Sequence, residues 1–133
     1  MHLTSLIPLM LLSLVTEVAA DSGYGSSCNS ISYYNARDGG KVIFANCRMN
    51  SGIYRVGTEI NPDSCFANDN GILAARLWGR YSGSCSDVYL SGTVLHAKCK
   101  NAAGGTVSTS IDTNNYMGNS DGFMTCFGQR GLP

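Results

Sequence analysis

Charged residues and histidines are scarce in this sequence. Asp, Glu, Lys and Arg make up 14% of the 133 residues, the formal net charge is zero, and only two histidines occur. There is no cluster of Lys or Arg, whereas binding to nucleic acid or to an anionic membrane surface depends on concentrated positive charge. The composition therefore argues against both kinds of partner.

Patterns typical of metal sites and catalytic sites are also missing. No two cysteines have the Cys-x-x-Cys spacing of a zinc site, and His96 is the only histidine after residue 20. No nucleophile–base or paired-carboxylate arrangement is visible. We therefore expect no metal, no cofactor and no enzymatic activity.

The first 20 residues have the features of a secretory signal peptide. The apolar run Leu6–Val15 is shorter than the roughly 20 residues that a membrane-spanning helix needs. Val18-Ala19-Ala20 supplies the small residues of a cleavage site. A membrane anchor is the alternative. We expect a secreted protein whose mature chain, residues 21–133, forms one domain.

All six cysteines follow this segment. An even number of cysteines in a small exported chain indicates a disulfide framework, although six cysteines allow 15 pairings. Three bridges, each contributing roughly 2–4 kcal/mol, would compensate for the modest core of so small a domain.

The second half of the chain repeats the first at a spacing of about 51 residues. Thr58–Asn61 (Thr-Glu-Ile-Asn) recurs as Thr109–Asp112 (Thr-Ser-Ile-Asp), and Asn68–Gly71 (Asn-Asp-Asn-Gly) recurs as Asn119–Gly122 (Asn-Ser-Asp-Gly). Copies this short seldom bury a core separately, so they are expected to share one. The repeats are placed at about 24–78 and 81–128.

Short runs of β-forming residues alternate with Gly, Ser and Asn, which is typical of an all-β fold. Asn70-Gly71 and Asp121-Gly122 are strong signals for hairpin turns. The tail Gly128–Pro133 is expected to fray. The predicted strands are 41–45, 53–56, 93–99 and 106–109, with helical or irregular turns near 61–68 and 112–118.

The order of these elements resembles the cyanovirin-N homology (CVNH) family of small lectins, which includes exported fungal proteins. Both copies contain Ser-Cys, a β-run, Cys followed by Arg or Lys, a Thr-x-Ile-[Asn/Asp] strand and Asn-x-[Asn/Asp]-Gly. The similarity covers about residues 24–127. It implies an all-β, pseudo-symmetric dimer of two intertwined repeats, each a three-stranded sheet plus a β-hairpin exchanged with the other repeat.

The resemblance also implies two disulfides within the repeats, Cys28–Cys47 and Cys85–Cys99. Cys65 and Cys126 have no counterpart in the other copy. Because the exchanged architecture places their two segments in the same half, we predict a third bridge, Cys65–Cys126, that staples the hairpin exchange. The alternatives are two free thiols or a link between two chains.

Family resemblance places one carbohydrate site in each half, around the Asn-x-[Asn/Asp]-Gly turn and beside the cysteine pair. Planar side chains suit sugar hydroxyl groups because they form two hydrogen bonds at once. In the first site the Asp121 carboxylate would accept hydrogen bonds from a vicinal diol. The Asn119 amide would both donate and accept hydrogen bonds. The members of this first turn site are Ser26, Ser27, Arg48, Asn50, Asn119, Ser120 and Asp121.

The second site is expected to be weaker, because Asn70 replaces the carboxylate and Ala102 offers no polar side chain. Arg48 of the first site stands where the best-known relatives have an acidic residue, which leaves the sugar preference open. The alternative is that both turns serve hairpin geometry alone. The members of this second turn site are Asn68, Asn70, Ser84 and Lys100.

Three further features concern aromatic residues and His96. Trp78 and Tyr81 are expected to pack between the halves rather than stack on a sugar. Tyr33 and Tyr34 lie in an insertion of the first cysteine loop, where ligand binding and loop packing are equal alternatives. His96 alternates with core-facing residues, which predicts a place on the polar face of a strand.

These features together predict a secreted, non-enzymatic lectin for mannose-type oligosaccharides, with α1→2-linked mannose as the target that the resemblance favours. It would act as a monomer or as a hairpin-swapped dimer. The alternative is a secreted effector or cell-wall protein that keeps the fold but binds a protein partner.

Overall fold

A computed structural model describes residues 21–36 and 40–131. The predicted signal peptide, residues 37–39 in the first cysteine loop and residues 132–133 lie outside this part. Within it, no helix has the length and apolar character to cross a membrane.

The described residues form short antiparallel strands joined by tight turns. Single 3-10 turns occupy Tyr24–Ser26, Pro62–Ser64, Tyr81–Gly83 and Thr113–Asn115. The strands are β1 Cys28–Asn35, β2 Lys41–Arg48, β3 Tyr54–Ile60, β4 Phe66–Asp69, β5 Ile72–Ala75, β6 Cys85–Ser91, β7 Val94–Lys100, β8 Thr106–Asp112, β9 Gly118–Ser120, β10 Phe123–Cys126 and β11 Gln129–Arg130.

Each repeat contributes one three-stranded sheet and one hairpin. Repeat one forms the sheet β1-β2-β3 and the hairpin β4-β5, and repeat two forms β6-β7-β8 and β9-β10. The predicted strands correspond to β2, β3, β7 and β8. Hydrophobic periodicity does not reveal β1 and β6, because both expose most of their side chains.

The hairpins are exchanged between the repeats. Strand β5 packs on β8, and β10 packs on β3. The backbone N–H of Leu73 in β5 donates a hydrogen bond to Oγ1 of Thr109 in β8, at 3.0 Å. One core cluster contains buried side chains from both repeats, including Ile43, Phe66 and Met124. The predicted all-β, intertwined fold is confirmed.

The two hairpin turns fall at the predicted dipeptides, and each needs its glycine for two reasons. Gly71 and Gly122 have φ of +95° and +91°, a left-handed conformation that L-residues rarely adopt. A Cβ atom at Gly71 would lie 2.7 Å from Val107, and one at Gly122 would lie 2.7 Å from Met49. Glycine thus allows each hairpin to approach the sheet of the other repeat.

Two aromatic expectations have different outcomes. Tyr81 is 1% exposed and lies in the shared core, as predicted, but Trp78 is 57% exposed, so its predicted place between the halves is wrong. The backbone at Trp78 is held against residues 64–66: the N–H of Trp78 donates to the carbonyl of Ser64, and Gly79 packs closely on the Phe66 carbonyl. With the backbone held this way at a left-handed φ of +56°, the indole ring lies at the surface.

The chain after Gly128 is ordered as far as Gly131, contrary to the expected fraying. Strand β11 pairs with β10, and the N–H of Gly131 donates to the carbonyl of Met124 at 2.8 Å. The carboxylate of Asp21 accepts from the N–H of Gly128 at 2.5 Å. An added strand satisfies backbone groups that a frayed tail would leave to water.

Three disulfides are formed, Cys28–Cys47, Cys85–Cys99 and Cys65–Cys126. The first two join strands within one sheet. The third joins the segment after the first sheet to the hairpin of repeat two, across a separation of 61 residues, and both of its cysteines are fully buried. It therefore links the two repeats covalently and fixes the exchanged hairpin in place.

We expect the double variant Cys65→Ala/Cys126→Ala to lose about 4 kcal/mol of unfolding free energy, because this bridge closes a long loop. Cys85→Ala/Cys99→Ala, which opens a loop of separation 14, should lose about 3 kcal/mol. Denaturant unfolding of both variants measures the difference. A smaller loss for the long-loop variant than for the short-loop control would contradict the stapling role.

Two tyrosines begin the repeats in equivalent 3-10 turns and carry their hydroxyl groups into the core. Tyr24 bonds Oγ1 of Thr113 at 2.7 Å, and Tyr81 bonds the hydroxyl of Tyr33 at 3.0 Å. Desolvation by burial raises the pKa of Tyr24 to about 12 and raises the pKa of Tyr81 as well. The folded protein therefore holds both phenols in the neutral form.

This predicts a loss of stability in alkali. Since the folded pKa of Tyr24 lies above its unfolded value of 10.0, its contribution is complete below that pH and is lost as the pH rises toward about 12. Unfolding free energy measured against pH should fall across this range, and Tyr24→Phe should flatten the fall. An unchanged pH profile in Tyr24→Phe would contradict the assignment.

Candidate functional site

The structure brings together residues of the first turn site that lie far apart in sequence. Nδ2 of Asn119 donates to Oγ of Ser27 and to the carbonyl of Arg48, both at 2.9 Å. The backbone N–H of Asn50 donates to Oδ1 of Asp121 at 2.8 Å. Ser26 and Ser120, the other two predicted members, are exposed next to this group in the chain.

The second turn site repeats this arrangement. Nδ2 of Asn68 donates to Oγ of Ser84 and to the carbonyl of Lys100, both at 2.8 Å. Oδ1 of Asn70 accepts from the N–H of Ala102 at 2.8 Å. The two sites thus have one geometry and differ in side-chain chemistry.

The first asparagine of each turn holds the hairpin against the other repeat. Besides its two donated bonds, Oδ1 of Asn119 accepts from the N–H of Gly122 at 2.8 Å, and Oδ1 of Asn68 accepts from Gly71 at 2.6 Å. Both amide hydrogens of each side chain are therefore used inside the protein. This differs from the expectation that Asn119 donates to a sugar, because both of its amide hydrogens already bond to groups within the protein.

Asp121 keeps unused hydrogen-bonding capacity. It is exposed, and of its two carboxylate oxygens only Oδ1 is hydrogen-bonded to another described residue. Its Oδ2 therefore has capacity to accept a further hydrogen bond, and the predicted role of Asp121 in sugar binding stays a prediction. Asn70 engages its Oδ1 in the same way, so its outward-facing group is an amide nitrogen, a neutral donor. A carboxylate forms hydrogen bonds roughly twice as strong as a neutral group does.

Two arginines that the sequence did not suggest pack on Phe123, which directly follows the first hairpin turn. The guanidinium carbons of Arg55 and Arg130 both lie 3.9 Å from the centre of the Phe123 ring. Nη2 of Arg55 also points to the carbonyl of Asp121 at 3.4 Å. In the second sheet Val107 pairs with Cys99 as Arg55 pairs with Cys47. The pairing in the first sheet is irregular between Ala45 and Cys47. The repeat spacing of 51 residues therefore aligns Arg55 with Thr106 and gives no signal for this arginine.

The remaining predicted features lie away from both turn sites. His96 is on the outer face of β7, as predicted, with its ring stacked on Tyr89. Tyr33 and Tyr34 are in β1: Tyr33 bonds Tyr81, and Tyr34 packs edge-on against Phe44 and donates to Glu59. These contacts favour packing over ligand binding for both tyrosines. Among the described residues, no cluster of His, Cys, Asp and Glu could hold a metal ion.

Comparison with known proteins identifies the family. The model described as the CVNH domain matches residues 24–92 and 81–131. The chain belongs to the CVNH family. The two matches correspond to the two repeats and together cover almost all of the described structure. Among curated proteins, none matches the sequence.

Solved CVNH structures share the fold with this chain. TbCVNH from T. borchii is 26% identical, with a TM-score of 0.63, over 78% of this chain and 98% of that one. Microvirin, in a complex with mannobiose, is 20% identical with a TM-score of 0.60, over 84% and 99%. A MoCVNH3 variant in complex with (N-GlcNAc)4 is 18% identical with a TM-score of 0.68, over 79% and 97%.

The fold-holding role of the turn asparagines predicts that Asn119→Ala destabilises the protein by about 2 kcal/mol, because it leaves three hydrogen bonds unmade. Asn68→Ala should cost a similar amount, since its contacts are equivalent. Ser120→Ala, at an exposed turn position, is the control and should leave stability unchanged. Equal stability of Asn119→Ala and Ser120→Ala in chemical unfolding would contradict this role.

Proposed function

We propose that this protein is a secreted, non-catalytic lectin that binds mannose-type oligosaccharides, with the first turn site as its working site. The observation that carries the proposal is the exposed carboxylate of Asp121, fixed by one oxygen and open at the other. Membership of the CVNH family also supports the proposal. The complex of microvirin with mannobiose supports the choice of sugar.

The binding groups have complementary roles in this proposal. Oδ2 of Asp121 accepts from a sugar hydroxyl group. Arg48, an exposed residue whose backbone carbonyl is bonded to Asn119, would donate to sugar oxygens through its guanidinium. The hydroxyl group of Ser27 accepts from Asn119 and keeps its own hydrogen for the ligand. Because Asn119 fixes both Ser27 and the strand end at Arg48, these groups are preorganised before the sugar arrives.

Export is part of the same proposal. The apolar N-terminal segment would direct secretion, and three disulfides suit an oxidising compartment. Binding needs no metal or cofactor, because the recognising groups are side chains and hydroxyl groups. We expect weak affinity at one site, roughly micromolar to millimolar.

The Asp121→Asn variant tests the role of the carboxylate in binding without disturbing the fold. The amide oxygen of the new residue keeps the hydrogen bond from Asn50, as Asn70 does with Ala102 in the other turn. Only the charge and the outward acceptor are lost. We expect unchanged stability and about tenfold weaker binding of α1→2-mannobiose, measured by isothermal titration calorimetry.

The second turn site supplies the matched control. Asn70→Ala should leave affinity close to that of the unmodified protein, and Asn70→Asp should add binding, because it gives this turn the carboxylate of the first. Full affinity in Asp121→Asn, with loss of affinity in Asn70→Ala, would assign the working site to the other turn and contradict the proposal.

A protein-binding function is the second candidate. Ile53, directly before the edge strand β3, and Val56 within it are 66% and 74% exposed. Large apolar side chains on the surface are one feature of protein-binding sites. An array of oligomannose glycans distinguishes the two functions, since a blank array at high protein concentration would favour the protein partner.

A further inference from the structure

The outer face of the second sheet carries polar and aromatic side chains in two rows. Strand pairing aligns Tyr89, His96 and Ser110 in one row, and Lys98 with Ser108 in the next. Asp87 joins the second row through an ion pair with Lys98, at 3.7 Å. An open depression of about 530 Å³ lies over these residues. Ligand clefts typically have volumes of roughly 300–1,000 Å³.

An exposed aromatic stack borders this depression. The rings of Tyr89 and His96 are parallel within 4°, with centres 4.5 Å apart, and Tyr89 is 55% exposed. Because Leu95, Ala97 and Cys99 of β7 face the core, His96 and Lys98 face outward. The stacking partner holds the tyrosine ring in one orientation, so its exposed surface is a preformed apolar platform.

Apart from the Asp87–Lys98 ion pair, the polar side chains of this face have no polar partner in the described part of the fold. Among the described residues, no side-chain hydrogen bond involves Tyr89, His96, Ser108 or Ser110. In the turn sites, by contrast, the asparagine amides are fully engaged within the protein. The hydroxyl and imidazole groups of this face therefore remain available to a ligand.

The corresponding face of the first sheet has a different composition. Ser32, Phe44 and Glu59 occupy the row equivalent to Tyr89, His96 and Ser110. There Tyr34 covers Phe44 edge-on and bonds Glu59. The open aromatic platform is thus a feature of one repeat and not of the fold, which argues against a purely structural role.

We propose that the outer face of the second sheet, defined by Asp87, Tyr89, His96, Lys98, Ser108 and Ser110, is a further carbohydrate-binding surface for β1→4-linked sugars of the glucose or N-acetylglucosamine type. Such rings carry their substituents equatorially, so their flat C–H faces pack on an exposed aromatic ring. Their hydroxyl groups would meet the two serines, and the Asp87–Lys98 pair offers an acceptor and donors. An open sheet face suits an extended chain better than a single terminal sugar.

Amide NMR spectra of the isotope-labelled protein test this surface with cellotetraose and chitotetraose as probes. We expect shifts at residues 87–89, 96–98 and 108–110. Tyr89→Ala should weaken binding by about tenfold, and Tyr89→Phe, which keeps the ring, should bind nearly as well as the unmodified protein. Tyr54→Ala removes an exposed tyrosine of the other sheet and is the matched control.

The proposal is overturned if neither probe shifts these amides at about 10 mM, ten times a weak dissociation constant of about 1 mM. It is also overturned if the shifts fall at the turn sites, or if Tyr89→Ala and Tyr54→Ala bind alike. A titration of the same sample with α1→2-mannobiose reports on Asp121 separately, so failure at one surface is distinguished from failure at the other.

Discussion

The side-chain amide that ties each hairpin to the sheet of the other repeat is the contact on which the rest of the structure depends. Asn119 and Asn68 each bridge a serine before one cysteine and a carbonyl after its disulfide partner. Both asparagines also close their own hairpin turns. Each asparagine side chain thus fixes its own hairpin turn, the end of a strand in the other repeat and the hairpin exchange. A connected polar network of this kind specifies one arrangement of the two repeats.

In the proposed lectin function, this constraint limits which groups can contact a sugar. Because the first asparagine of each turn is committed to the fold, we propose that recognition falls to the residue two positions later, Asp121 in one turn and Asn70 in the other. The same backbone geometry therefore presents a carboxylate in one place and an amide in its counterpart. Arg55 and Arg130, packed on Phe123, add positive charge only to the first turn. The two repeats thus share a backbone framework and differ in the side chains that it exposes.

Much of the fold could be predicted from the sequence, because repeated motifs and Asn-Gly and Asp-Gly turns are local signals. The exchange and the Cys65–Cys126 bridge followed from the family resemblance combined with unmatched cysteines. Three features were beyond prediction. The commitment of the Asn119 amide depends on a carbonyl 71 residues away. The exposure of Trp78 depends on the backbone hydrogen bond from its N–H to the Ser64 carbonyl, and the order of β11 depends on pairing with β10. Each depends on long-range packing that neither propensity nor periodicity records.

A structure of the protein with α1→2-mannobiose bound tests the central claim most directly, since it locates the sugar relative to both hairpin turns. The account predicts the disaccharide beside Asp121, with a hydroxyl group in hydrogen-bond contact with its Oδ2 and with Asn119 still bonded to Ser27 and Arg48. A disaccharide that displaces the Asn119 amide from these partners, or that occupies the Asn70 turn and leaves Asp121 empty, would contradict it.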